Sequence, residues 1–138
     1  MIHTKEIFID TKGFCDVHDL TAAVASFVRE TGLQHGQALV HVPGSTAAVT
    51  TIEFEPGVLE DLCQALERLA PQNIPYAHDR AWGDGNGFSH VRAAFLKPSL
   101  VIPVAEGRLL LGTWQQVVLL DFDNRSRRRR VILQVMGD

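Results

Sequence analysis

Cysteine is scarce in this chain. Cys15 and Cys63 are the only two, far apart and in no Cys-x-x-Cys arrangement. Both are expected as small buried hydrophobes in a reducing compartment, in preference to a disulfide or a zinc knuckle. Long hydrophobic runs are also missing: none approaches the roughly 20 residues that span a bilayer. The start, Met1-Ile-His-Thr-Lys5, lacks the apolar core of a secretion signal, so a cytoplasmic location is expected. Neither sign of charge dominates. A net charge of −3 and a pI near 6.0 supply no general attraction to nucleic acid or to acidic membranes. Internal repeats, linkers and low-complexity tracts are absent. What remains is 138 residues, 46% apolar and 21% charged, which is the size and composition of one globular domain.

The order of elements follows from periodicity. Lys5–Thr11 alternates around Ile7 and Ile9 and predicts a strand, with Gly13 turning into a short second one through Cys15. Asp19 reads as the cap of a helix over Leu20–Thr31, where Leu20, Val24, Phe27 and Val28 share one face and Gly32 follows. Gln37–Val42 and Ser45–Phe54 read as strands. The second would put Thr46, Ala48, Thr50 and Ile52 on one face and Ala47, Val49, Thr51 and Glu53 on the other. Glu53 then either sits against an apolar face or ends the strand in solvent. Pro56-Gly57 opens a helix with Val58, Leu62, Leu66 and Leu69 as its stripe. Ser89–Lys97 predicts a short third helix, with Ser89 or a neighbour as its cap. Ser99–Val104, Arg108–Gly112, Gln116–Phe122 and Arg127–Met136 predict four closing strands, the first two joined by an Glu106-Gly107 hairpin turn. The expected fold is α+β, with a largely antiparallel, β-sandwich-like sheet. Two sizeable helices cannot cover so many strands, so an oligomer is expected.

Chemistry concentrates in Tyr76–Arg92. This stretch carries His78, Asp79, Asp84, Asn86, Ser89 and His90, interleaved with Gly83, Gly85 and Gly87. Glycine serves where the backbone takes positive φ or approaches another group closely, and a loop so rich in it is costly to order. Three readings stand side by side. His78 and His90 with a carboxylate can hold a divalent metal with an open position. One histidine can act as a general acid or base held by Asp79 or Asp84. Or both histidines satisfy local turns. The loop is not a Walker motif, because no Gly-Lys-Ser/Thr follows.

The run Arg127–Arg130 is the other conspicuous feature. In a strand Arg127 and Arg129 point one way, Arg128 and Arg130 the other. One pair can face an anion or a neighbouring subunit, or the whole run is a solvated arm. With no interleaved aromatics and no basic background, it is a poor nucleic-acid patch. His41 reads as a strand histidine with a local partner, and Trp114-Gln115 as a pocket wall or part of the core.

The motifs together resemble a known family. Gly44-Ser-Thr-Ala-Ala-Val-Thr-Thr-Ile-Glu53, Tyr76-Ala-His78, Gly83-Asp-Gly-Asn-Gly-Phe-Ser-His-Val-Arg92, Pro98-Ser-Leu-Val-Ile-Pro103 and Gly107-Arg-Leu through Leu111-Gly-Thr-Trp-Gln115 occur in that order. The Arg-rich strand ending Gln134-Val-Met-Gly-Asp138 closes the set. This resembles the YjbQ-like family, from about Thr4 onward. The resemblance implies a compact α+β homotrimer. It implies a pocket with His78, Asp84, Asn86, Ser89 and His90 as catalytic positions, and with Thr46, Glu53, Arg92, Trp114 and Gln115 on the substrate. His78 and His90 are the implied holders of a divalent metal, zinc or magnesium. The implied activity is that of a secondary thiamine-phosphate synthase, which joins hydroxymethylpyrimidine diphosphate to thiazole phosphate and releases pyrophosphate. A metal-dependent hydrolase of a small phosphorylated metabolite, or a non-catalytic small-ligand-binding protein, would use the same polar loop. The chain departs from the family in one place. Many relatives carry histidine where Gly44 stands, and His41 does not simply replace it, because an offset of three reverses the face in a regular strand.

Overall fold

A computed structural model describes residues 1–138. Twelve elements follow in order: β1 (Ile2–Thr11), β2 (Asp16–Asp19), α1 (Thr21–Thr31), β3 (Gly36–His41), β4 (Ala47–Ile52), α2 (Pro56–Leu69), α3 (Ala77–Trp82), α4 (Gly87–Leu96), β5 (Ser99–Ala105), β6 (Arg108–Leu109), β7 (Gln116–Asp121) and β8 (Arg127–Gly137). The strands form two sheets, ordered β1-β8-β3-β5-β6 and β2-β7-β4, and every pairing is antiparallel. The α+β sandwich expected from the sequence is the fold observed.

β7 shows why the chain stacks in layers. Val117, Val118, Leu119 and Leu120 are all fully buried, although alternate strand residues face opposite ways. Val117 and Leu119 enter the main core with Val40, Val131, Leu133 and Val135 of the larger sheet. Val118 and Leu120 face a second core with Leu66 of α2 and Ala93 of α4. The smaller sheet is thus covered on both sides. α1 adds Val24, Phe27 and Val28 to the main core and ends at Gly32 in the left-handed region (φ 72°), as its pattern predicts.

Several local expectations shift. Asp19 does accept from Thr21 N–H at 2.9 Å, but Leu20 occupies the cap position. Glu55 caps α2 by accepting from Gly57 and Val58 N–H. Leu69, placed in the apolar stripe of α2, is exposed at its end. The strand expected over Arg108–Gly112 stops after Leu109. α3 is an extra short helix inside the stretch read as a loop. Cys15 and Cys63 form a disulfide between the segment before β2 and helix α2. This corrects the expectation of two unpaired thiols: residues remote in sequence become neighbours when α2 packs on the smaller sheet. No helix is long and apolar enough to cross a membrane.

The outer face of the larger sheet has no covering layer. Ile2 and Phe8 of β1, Val101 of β5 and Met136 of β8 are exposed there.

Candidate functional site

Two short helices bring the histidines together. α3 ends at Gly83 in the left-handed conformation (φ 67°), and the chain turns through Asp84–Asn86 into α4. Gly87 is required at the crossing: a Cβ there would lie 2.6 Å from Tyr76 Cβ. The result sets the His78 and His90 rings 4.4 Å apart between centroids, tilted by 41°. Half-buried His78 faces two carboxylates, with Nδ1 at 3.5 Å from Asp79 Oδ1 and 3.4 Å from Asp84 Oδ1. Backbone donors fix both acids, Gly87 N–H to Asp79 at 2.9 Å and Asn86 N–H to Asp84 at 3.1 Å.

One ligand atom from each of His78, Asp79 and Asp84 lies within 4.8 Å of the others. Metal bonds of roughly 2.0–2.2 Å place neighbouring ligand atoms about 3.4 Å apart in a tetrahedron, so this donor set fits one divalent cation. His90 is not part of the convergence; its ring lies against His78. The sequence names His78 and His90 as ligands; the converging donor set in the structure is His78 with Asp79 and Asp84.

Behind the histidines lies a buried polar lattice. Asp121 and Asp123, at the end of β7, are wholly inaccessible. Arg129 donates to Asp121 through Nε and Nη2, and Arg127 donates to Asp123 Oδ2 through Nε and Nη2 at 3.2 and 3.0 Å. Thr46 and Asn86 also donate to Asp123 Oδ2, at 2.9 and 3.3 Å. Burial alone would raise the Asp123 carboxyl; these hydrogen bonds and the Arg127 charge outweigh it and hold it below the ordinary value. Ser89 donates to the Asn86 backbone carbonyl at 2.7 Å and also to its side-chain oxygen. Asn86 and Ser89 therefore anchor the start of α4, which carries His90, from beneath. The alternation read from Arg127–Arg130 holds: Arg129 is buried, while Arg128 stacks over Phe8 (4.9 Å) and Arg130 pairs with Glu6 on the outer face.

Four expected site residues lie elsewhere. Arg92, expected on the substrate, is 1% exposed; it donates to the Ala70 carbonyl, pairs with Glu67 and stacks 5.0 Å from Phe88. It fastens α4 to α2. Glu53 is solvent-exposed, which resolves its two readings, and shares an acidic groove with Trp114, itself 72% exposed. Gln115 bonds Thr51 nearby. These three residues stand at the Ile52 end of β4, whereas Thr46 and the histidines flank its Ala47 end. A six-residue strand, about 20 Å long, separates them.

A family model described as UPF0047 protein YjbQ-like matches residues 5–138. The chain belongs to this family. A UPF0047 protein of Archaeoglobus fulgidus is 37% identical over 131 residues, covering 95% of this chain and 99% of that protein. One from Mycobacterium tuberculosis is 44% identical over 116 residues, covering 83% of this chain and 84% of its own. Among solved structures, a YbjQ-like protein of unknown function from Sulfolobus solfataricus superposes with a TM-score of 0.95 at 29% identity, covering 100% of this chain and 99% of that one. A hypothetical protein from Aeropyrum pernix gives 0.91 at 33% identity, with 99% of each chain covered.

In this YjbQ-like chain the residues that sequence reasoning left without a role are Asp121 and Asp123. An aspartate closing an otherwise apolar strand, Val117–Asp121, opposite an arginine run is the signal that was available.

Proposed function

We propose that this protein is a thiamine-phosphate synthase-like transferase acting as a cytoplasmic homotrimer, with the cleft beside His90 as its reaction site. The observation that carries the reading is the His78–His90 pair, with two carboxylates on His78, opening onto a cleft that reaches Gly44 and Ser45. The reaction asks for few protein groups. The bond between the pyrimidine methylene carbon and the diphosphate oxygen breaks, the electron pair leaves with pyrophosphate, and the thiazole nitrogen bonds to that carbon. Charge builds on the departing oxygens, so fixed cations and N–H donors placed there lower the barrier. His78, Asp79 and Asp84 would hold a divalent cation, which supplies charge to the leaving group when bound. His90 is placed to donate a hydrogen bond or a proton to a departing oxygen. Asn86, Ser89 and Thr46 hold α4 and β4 so that these groups do not drift, a positioning role.

Trimer formation is supported by Ile2, Phe8, Val101 and Met136, exposed on the outer face of the larger sheet.

The test is thiamine-phosphate formation from the two phosphorylated precursors, with and without zinc or magnesium, in wild type and His90→Ala. Product that depends on His90 supports the synthase reading. No product, with phosphate released from a single phosphomonoester, would transfer the site to hydrolysis; a ligand retained without turnover would make it a binding protein.

A further inference from the structure

Arg129 is clamped on one side and free on the other. Nε and Nη2 donate to Asp121 at 2.6 and 2.8 Å, and Nη2 donates to Thr46 Oγ1 at 2.6 Å. Nη1 has no acceptor in the chain, and it lies beside Gly44: a methyl group on that glycine would stand 3.1 Å from it. The bend supplies more unused donors. The backbone N–H groups of Gly44, Ser45 and Thr46 bond to nothing in the chain, while Val42 and Val49 on either side bond to the Pro98 and Lys97 carbonyls. Gly44, Ser45 and His90 line an open cleft of about 270 Å³ whose remaining wall is Ala47, Ala93, Ala94 and Pro98.

We propose that the Gly44–Ser45 edge of this cleft is an anion seat, in which a phosphoryl group of a small metabolite binds the amides of the Gly44–Thr46 bend and reaches Arg129 Nη1, which lies behind Gly44 and outside the cleft's lining. The seat deepens the reading of the cleft as a substrate pocket and rests on it for its substrate class. Three physical points carry it. Consecutive amides without partners, next to a guanidinium, are the donors from which backbone nests for phosphate are made. No carboxylate lines the cleft, and Asp121 and Asp123 behind it already have Arg129 and Arg127 on them. The guanidinium is locked by its other nitrogens, so little side-chain freedom is lost on binding. The volume falls below the roughly 300–1,000 Å³ of whole-ligand pockets, so the cleft takes one group and a few carbons against the alanines. It also gives the phosphate a seat that Arg92, fastened to Glu67, cannot provide.

The glycine makes the seat testable. Gly44 is not among the positive-φ residues, so a side chain there is tolerated by the backbone and would occupy the space in front of Nη1. Metal-free protein is titrated with inorganic phosphate and with pyrophosphate, followed by ¹⁵N–¹H spectra. The expected result is saturable shifts at the Gly44, Ser45 and Thr46 amides. Gly44→Asp, which sets a carboxylate against Nη1, weakens binding at least tenfold while the rest of the amide spectrum is retained, and Gly44→Ala weakens it severalfold. His78→Ala leaves phosphate affinity within twofold. Absence of shifts at those amides, or an unchanged affinity in both Gly44 variants, overturns the seat. So does loss of binding in His78→Ala alone, because the anion would then sit at the His78 cluster. A failed synthase assay beside a successful titration removes the proposed reaction and leaves the seat standing.

Discussion

Arg129 closes a fork on Asp121, donating through Nε and Nη2 to both oxygens of a carboxylate that has no contact with solvent. Thr11 Oγ1 adds a third donor from β1, so the pair ties β1, β7 and β8 together. Removing one partner of such a pair leaves an uncompensated buried charge. Arg129→Leu is therefore expected to cost about 3–5 kcal/mol in urea unfolding, and Arg129→Leu with Asp121→Leu much less than twice that. Additive losses would mean the pair contributes no coupling.

Asp123 makes acid stability a specific measurement. Its folded pKa lies below the unfolded value of about 3.9 despite burial, because Thr46, Arg127 and Asn86 bond the ionised form. The stability it confers is present above the unfolded value and is lost as pH falls through the folded one. Asp123→Asn should melt lower than wild type at pH 7, with the gap narrowing as pH drops below about 4. A gap independent of pH would show that the ionised form contributes nothing.

The Cys15–Cys63 bond spans a sequence separation of 48 residues. Chain-entropy reasoning for a loop of that length gives about 4 kcal/mol, within a usual range of about 2–4 for native bonds. Reduction, or Cys63→Ser, should lower unfolding free energy by about 2–4 kcal/mol without unfolding the protein. In a reducing compartment that contribution is absent. Denaturant curves with and without dithiothreitol check the prediction.

Zinc titration by calorimetry should show one site per chain that depends on His78. His78→Ala and Asp79→Asn are each expected to weaken it at least about tenfold, the second while keeping an oxygen that accepts from Gly87 N–H at the start of α4. His90→Ala should change affinity far less, because its ring stacks on His78 outside the converging set.

The exposed Val101 and Met136 on the outer face predict association. Light scattering on the eluting protein is expected to give three times the chain mass, and Val101→Glu, in the groove formed with Leu39 and Met136, to reduce it to one. A monomeric wild type would remove the trimer.

Helices and strands that rest on local rules were legible. Leu20, Val24, Phe27 and Val28 bury one face of α1 because helical spacing places them there, and Glu106-Gly107 turns a hairpin with both φ values positive (53° and 72°), as such turns require. The split facing of Arg127–Arg130 follows from strand alternation alone, and the histidine cluster was legible because its members lie close in sequence. Partner choice was not legible. That Arg92 turns to Glu67, that Arg129 meets Asp121, that Cys15 meets Cys63, and that Glu53 and Trp114 stand a strand's length from His90 depend on how α2, α4 and two sheets pack. A side chain's local pattern sets which way it points; only the layer that packs against it determines what it meets there.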